Sequence, residues 1–321
     1  MLKGNGFIFG LIIMITLAWF FPQIGLYDGF ANLNQITNIG ITLIFFFYGL
    51  KLSPTQMKEG LSNYRLHILV QLATFVLFPL IVLVFKPFIH TSEQQMIWLS
   101  IFFLAILPST VSSSVVMVVL AKGNVPGAIF NASISGLIGI VVTPLWMGLF
   151  WQINDDGLNF SSIIIDLLLQ ILLPVIIGLW LHRYFGTVVK KHLKALSTFD
   201  KTVILLIVYK SFSQSFSGDL FTSMSMGNII LICVASVGLL AVVYMLIYLL
   251  STLFHFNRED KITALFCGSK KSLIHGSVFA KVMFQNSQSQ GLLLIPIMIY
   301  HSLQLIIISF IANKMRKDIE E

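Results

Sequence analysis

The sequence predicts an all-α membrane protein of ten transmembrane helices, arranged as two inverted repeats of five with broken helices at positions four and nine. Three observations carry this reading. The chain is 57% hydrophobic and only 10% charged, with mean hydropathy +0.91, where ordinary soluble domains are roughly 25% charged. Apolar stretches of about 20 residues, each able to cross a bilayer as a helix, recur along the whole chain. Short segments also echo one another half a chain apart.

The expected spans lie near 6–22, 35–50, 66–86, 96–121, 126–151, 161–184, 199–216, 228–254, 262–284 and 290–312. The first follows Lys3 as a signal peptide would, but "AWFFPQIG" offers no small-x-small cleavage site, so it reads as an uncleaved span. Orientation comes from the basic residues. With the N-terminus inside, every cytoplasmic loop carries lysine or arginine, among them Lys51, Lys58 and Arg65, then Lys122, then Lys190, Lys191 and Lys194. All but five of the 20 basic residues lie on that side; the five are Lys86 outside and Lys210, Lys270, Lys271 and Lys281 within spans. The outer loops hold Asp28, Glu93, Asp155, Asp156 and Asp219. This bias gives an even span count, both termini in the cytoplasm and, as location, the plasma (inner) membrane. The net charge of +7 is spread over these short loops and does not suggest nucleic acid. Cys233 and Cys267 fall in apolar segments and imply no disulfide framework.

The repeat has an offset of 160 or 161 residues. Tyr48 in "LIFFFYGL" matches Tyr209 in "LLIVYKSF", and in "LPSTVSSSVV" and "CGSKKSLIHG" Ser109 faces Ser269 and Ser112 faces Ser272. Five spans per half send the second half in from the opposite side, the inverted repeat common in secondary transporters. Spans four and nine are also the two that carry helix breakers. Pro108 precedes a serine cluster in span four, and Gly268, Ser269 and Gly276 surround the lysines of span nine. Proline removes a backbone donor, and clustered hydroxyls compete for the backbone. Lys271 is about 15 Å along a helix from both Lys261 and Lys281, which puts it near mid-membrane. Broken helices persist in a membrane only where protein or water satisfies the freed groups, so the two breaks are expected to cross at a site.

The residues that carry candidate chemistry are Ser109, Thr110, Ser112, Ser113 and Ser114 in span four; Asn131, Ser133 and Ser135 in span five; and Ser269, Lys270, Lys271, Ser272 and His275 in span nine. An intramembrane charge is a functional-site hypothesis by default. Three readings stay open for the lysine pair: a fixed charge pinning unwound carbonyls, a contact to an anionic solute, or a proton carrier. The hydroxyls could be interhelical glue, but their place beside a break favours site lining. His275 reads as a packed residue or as a proton relay, and His301 as packing. Lys210 and Lys281 are expected to snorkel toward the outer surface and receive no role. No nucleotide-binding loop, nucleophile elbow, metal-binding histidine pair or dinucleotide fingerprint is present, so an enzyme is not expected, nor any cofactor or metal site.

The ten-span plan, "LAKGN" at Leu120–Asn124, "TP" at Thr143–Pro144 and "GSKKSL" at Gly268–Leu273 resemble the bile acid:sodium symporter family, in particular a divergent branch with the same lysine motif. The resemblance covers nearly the whole chain. It implies a core of 66–151 and 228–312, against which a panel of 6–50 and 161–216 moves. It also implies sodium ligands, and here the carry-over fails. Ser114 matches a serine of the sodium-coupled members, but their next ligand, an asparagine, is Val115; their span-five ligands fall on Ala128 and Ala132; and a span-three glutamine falls on Thr74. The glutamate shared by both sodium sites falls in the stretch with Lys270 and Lys271. Hard cations need oxygen ligands, which argues against coupling of the family's kind. The expected function is a secondary transporter moving a small, anionic organic solute by alternating access, its partners that solute and the lipid bilayer. The alternatives are a cation/proton exchanger and a membrane regulator that keeps the fold without transporting.

Overall fold

The computed structural model describes residues 2–27, 32–52, 63–150, 165, 168–217, 225–284 and 290–320. Every regular element among them is helical. Six helical stretches are long and apolar enough to cross a membrane: Leu33–Lys51, Tyr64–Phe88, Val125–Gly148, Leu168–Lys191, Gly227–Leu253 and Gln290–Arg316. The other four expected spans correspond to a shorter apolar helix, two interrupted helices, and one helix that carries several charged residues. Among the residues used for orientation, Asp28, Lys58, Asp155, Asp156 and Asp219 lie outside the described residues, as do Asp166 and residues 161–164 of the sixth expected span.

The chain divides into two compact units. The first comprises Met1–Ser53, Ile153–Ser225 and Ile274–Leu294. It contains α1 (Leu2–Phe20), the short α2 (Pro22–Leu26), α3 (Leu33–Lys51), a π-helical turn at Leu168–Leu172 leading into α9 (Leu173–Lys191), and α10 (Leu193–Ser217). Asn32 caps α3 by accepting from the Asn34 N–H at 2.7 Å, satisfying a donor that the first helical turn leaves open. Helices α3 and α9 meet at backbone contact. A Cβ on Gly49 would lie 2.2 Å from the Val175 carbonyl oxygen, and one on Gly178 would lie 2.2 Å from that of Phe46. Small residues permit this approach, and in a membrane such packing replaces the missing hydrophobic drive between helices. Across the same unit Lys51 pairs with Asp200 at 2.8 Å, and the Tyr209 hydroxyl donates to the Phe21 carbonyl at 2.7 Å.

The second unit comprises Pro54–Gln152, Met226–Leu273 and Ile295–Glu321. Here α4 (Tyr64–Leu72) passes through a π-helical turn at Ala73–Leu77 into α5 (Phe78–Leu83). Then come α6 (Ser92–Ile106), α7 (Ser112–Leu120), α8 (Val125–Gly148), α11 (Met226–Leu253) and α12 (Arg258–Gly268). Helix α13 (Leu273–Met283) begins in the second unit and continues into the first, and α14 (Gln290–Glu320) runs from the first into the second. Thr91 and Gln94 form a reciprocal capping box that fixes the start of α6.

Three helix starts in this unit converge on one carboxylate. Asn63, Asn124 and Asn257 cap α4, α8 and α12 by accepting from Leu66, Gly127 and Asp260 N–H groups at 3.3, 2.9 and 2.8 Å. The amides of Asn63 and Asn124 then donate to the two oxygens of Asp260 at 2.6 and 2.7 Å. Asn63 and Asn124 thus each close one helix and tie it to α12. The "LAKGN" turn serves this junction. Lys122 takes φ 55° so that Gly123 N–H can reach the Val118 carbonyl at 2.8 Å, ending α7 in a left-handed cap.

Candidate functional site

Both expected breaks are present, and they touch. Helix α6 stops at Ile106 and α7 starts at Ser112; α12 stops at Gly268 and α13 starts at Leu273. The Ser272 N–H donates to the Pro108 carbonyl at 2.9 Å, and the Ser109 hydroxyl donates to the Cys267 carbonyl at 2.6 Å. The Pro108 ring sits where Gly139 of α8 lacks a side chain: a Cβ there would lie 2.8 Å from Cγ of the proline.

Interrupting a helix in apolar surroundings exposes backbone groups that must find partners. The partners here come from neighbouring helices. Thr143, the threonine of the Thr-Pro pair in α8, donates its hydroxyl to the Ile106 carbonyl at 2.8 Å. Ser135, also on α8, accepts from the Ser109 N–H at 3.0 Å. Gln304 of α14 brackets Lys271, accepting from its N–H at 2.9 Å and donating to its carbonyl at 2.8 Å. The Tyr300 hydroxyl donates to the Ser269 carbonyl at 2.6 Å, and the Ser269 hydroxyl turns back to Leu265 at 2.6 Å.

The two lysines differ sharply. Both are 0% exposed. The Lys271 ammonium donates to the carbonyls of Thr74, Ala105 and Leu107 at 2.8, 2.6 and 2.8 Å, using all three of its protons. It also lies 4.0 Å from the centroid of the Phe78 ring, a cation–π contact. A cage of carbonyl oxygens is what a hard cation would take, and here an ammonium occupies it. Among the described residues the Lys270 ammonium makes one hydrogen bond, to the Ser113 carbonyl at 2.9 Å. Beside it, the Thr110 hydroxyl shares hydrogen bonds with Ser113 at 2.8 Å and Ser114 at 2.9 Å. Lys270 is therefore a buried cation with donors to spare next to a hydroxyl cluster.

The remaining candidates separate. Ser109, Ser135 and Ser272 join the breaks to each other and to α8, whereas Ser269 is tied to Leu265 of α12 and Tyr300 of α14. Asn131 is occupied by its own scaffold, donating to the Gly127 carbonyl at 2.9 Å and accepting from Gln71 of α4 at 3.2 Å. Ser133 is buried on α8, and Ser112 opens α7, its side chain lying outside the described residues. His275 belongs to the first unit, where its ring packs edge-on to Phe45, Tyr48 and Phe279 at 5.6, 5.7 and 5.9 Å between centroids. Lys210 and Lys281 depart from the expectation of snorkelling: they are 7% and 4% exposed and are held inside the first unit. Sequence reasoning passed over Gln304, Tyr300 and Thr143. The available signals were the polar run Tyr300, His301, Ser302 and Gln304 in an otherwise apolar span, costly in a membrane unless it serves partners, and the Thr143–Pro144 pair.

Comparison with known proteins agrees with this architecture. Residues 5–317 match the model of the SBF-like CPA transporter family. Protein PA2026 of Pseudomonas aeruginosa is 37% identical over 310 residues, covering 97% of this chain and 92% of that protein. An Escherichia coli (strain K12) protein named as a candidate symporter, YfeH, is 34% identical over 311 residues, covering 97% and 92%. Sodium/bile acid cotransporter 7 of Xenopus tropicalis is 30% identical over 320 residues, covering 98% and 92%. The resemblance to the bile acid:sodium symporter family is thereby established, and the proteins of this kind are membrane transporters rather than enzymes. With its long apolar helices, this chain is an integral, multi-pass membrane protein that belongs to the SBF-like CPA transporter family.

Proposed function

We propose that the chain is a secondary transporter that moves a small, anionic organic solute by alternating access, without the sodium coupling of its ion-driven relatives. In this reading ten spans form two inverted repeats of five in the plasma (inner) membrane, with both termini cytoplasmic. A panel of 6–50 and 161–216 moves against a core of 66–151 and 228–312, and the solute's acidic group meets Lys270 together with Thr110, Ser113 and Ser114. The supporting observation is the asymmetry of the lysine pair. Lys271 has all its protons bound to carbonyls, so it replaces a cation and holds the breaks closed. Lys270 has a single acceptor among the described residues, which leaves two of its protons for a ligand. A buried ammonium with unused donors favours an anion that can accept them.

Cation/proton exchange fits this pair less well, because neither the 107–111 break nor the 269–272 break contains a carboxylate to bind the cation. The names of relatives suggest where to look for the solute: sodium/bile acid cotransporter 7 points to amphipathic carboxylates and sulfonates. The test is uptake of radiolabelled organic anions, taurocholate included, into proteoliposomes. Wild-type protein should take up at least one of them saturably, and Lys270→Met should lose that uptake while its melting temperature falls only slightly. Saturable uptake that survives Lys270→Met overturns the assignment of Lys270. No saturable uptake of any organic anion overturns the transport reading.

A further inference from the structure

Helices α9 and α10 of the first unit are joined by a single residue, His192. Its N–H donates to the Val189 carbonyl at 3.0 Å, and its own carbonyl accepts from the Leu196 N–H at 3.0 Å, so no loop separates the two helices. Around this junction Lys190, Lys191 and Lys194 are all exposed. Arg183, seven residues before Lys190 and so on the same side of α9, is exposed too. Lys190 and Lys191 suit the negative end of α9, but Lys194 lies in the first turn of α10, where a cation is unfavourable. The run 167–199 holds no aspartate or glutamate, and Asp200 of α10 is paired with Lys51 at 2.8 Å. Lys201 leans instead over the Phe7 ring of α1.

Arg183 carries a second marker. Its guanidinium lies 4.6 Å from the Tyr184 ring centroid and 5.2 Å from that of Trp180, within cation–π range of both. The two aromatic residues are each 61% exposed, away from the face at Gly178 that packs on α3. Exposed tryptophan and tyrosine on a membrane helix mark the level of the lipid headgroups. Along α9 the exposed face runs from Ile176 and Ile177, through this aromatic–arginine cluster, to Lys190 and Lys191 about 10 Å beyond Arg183. A helix leaving hydrocarbon for the phosphate layer meets its surroundings in that order. A planar guanidinium resting on rings offers its fork to a phosphate, and the lysines add positive charge at headgroup depth.

We propose that Trp180, Arg183, Tyr184, Lys190, Lys191 and Lys194 form a docking surface for anionic phospholipid, whose phosphates lie along the junction of α9 and α10. Charge complementarity selects the occupant: a net negative headgroup gains from all four cations, whereas a zwitterionic one brings its own positive charge among them. In the orientation proposed above this lipid belongs to the cytoplasmic leaflet. The surface stands whether or not Lys270 binds the transported solute.

The test uses the full-length protein in uncharged detergent. Melting temperature is followed against phosphatidylglycerol, with phosphatidylcholine of the same chains and inorganic phosphate as references. Phosphatidylglycerol should stabilise the wild-type protein saturably and beyond either reference, and the effect should weaken at high salt. The triple variant Lys190→Gln, Lys191→Gln and Lys194→Gln should raise the half-saturating concentration about a hundredfold, roughly fivefold for each lysine near the membrane surface. Arg183→Gln alone should raise it about fivefold. A second triple variant with the same loss of charge in the other unit, Arg65→Gln, Lys122→Gln and Lys314→Gln, should titrate close to wild type. Equal shifts in the two triple variants would show a response to net charge alone and overturn the proposal. So would equal stabilisation by phosphatidylcholine or by inorganic phosphate, an unchanged titration in the first triple variant, or no saturable response at all.

Discussion

The Ser272 N–H donates to the Pro108 carbonyl at 2.9 Å, so the two interrupted helices are joined backbone to backbone. Proline makes this contact available. It supplies no N–H of its own, and its ring is accepted by the gap at Gly139. Around that bond four side-chain partners come from other helices: Thr143 and Ser135 from α8, Gln304 and Tyr300 from α14. The freed backbone groups of the breaks are thus satisfied by side chains that look ordinary in the sequence.

Lys271 should be the more important lysine for stability. Replacing it with methionine leaves the carbonyls of Thr74, Ala105 and Leu107 without their common donor. Removing one side of a buried charged arrangement is worth about 3–5 kcal/mol. Lys271→Met should therefore lower the melting temperature of the detergent-purified protein markedly, whereas Lys270→Met, which loses one hydrogen bond, should lower it little. Equal effects from the two substitutions would contradict the different roles assigned to them.

The position of each break was legible in the sequence because Pro108, Gly268 and the serine clusters are local signals. The partners of the breaks were not. Gln304 and Thr143 act through space: His301 and Ser302 stand beside the first and Pro144 beside the second, but none of them says which carbonyl the side chain serves. His275, read from the sequence as a packed residue or a proton relay, packs its ring against Phe45, Tyr48 and Phe279 of the first unit. For Lys210 and Lys281, a long flexible stem is compatible with either snorkelling or burial. Only the packing of α10 and α13 decides between them.

Asp260 should be the keystone of three helix starts. Its oxygens accept from Asn63 and Asn124 at 2.6 and 2.7 Å, and those asparagines cap α4 and α8. Asp260→Ala would leave both amides without their acceptor and loosen the ties among α4, α8 and α12. Hydrogen bonds to a charged group are worth about 1.5–3 kcal/mol each, so the loss should be at least that of one such bond. Thermal unfolding would measure it, and hydrogen exchange should rise at the starts of α4 and α8 together. Faster exchange at one of them alone would show that Asp260 does not couple them.

The approach of α3 and α9 leaves no room for a methyl group. Gly49→Ala or Gly178→Ala would place Cβ 2.2 Å from a backbone oxygen, and backbone cannot swing aside as a flexible side chain can. Each substitution should destabilise by about 1–3 kcal/mol, as overpacking does elsewhere. The double substitution should cost less than the sum, because the first already separates the helices. Gly238, where an added methyl would meet nothing within 4 Å, is the control: its alanine variant should be as stable as wild type or more so. Unchanged melting in Gly49→Ala and Gly178→Ala would show that α3 and α9 do not pack this closely.

Sodium should neither stabilise the protein nor drive its transport. Three of the positions that would supply oxygen ligands by family resemblance hold side chains without oxygen: Ala128 and Ala132, both 0% exposed on α8, and Val115 on α7. The remaining oxygens around Lys271 are backbone carbonyls already bound to an ammonium. A sodium ion entering there would have to displace a tethered cation whose effective concentration is high because it is part of the chain. Removing the tether with Lys271→Met vacates the carbonyl cage, yet three carbonyls fall short of the six or so oxygens a hard cation prefers, and Ala128 and Ala132 cannot complete the set. Melting temperature and solute uptake are measured in sodium, potassium and choline chloride at equal ionic strength, for the wild type and for Lys271→Met. The three salts should give the same result for each protein. A saturable effect of sodium on wild type would mean that ligands outside Val115, Ala128 and Ala132 bind it, and the reading of Lys271 as a built-in cation would fail.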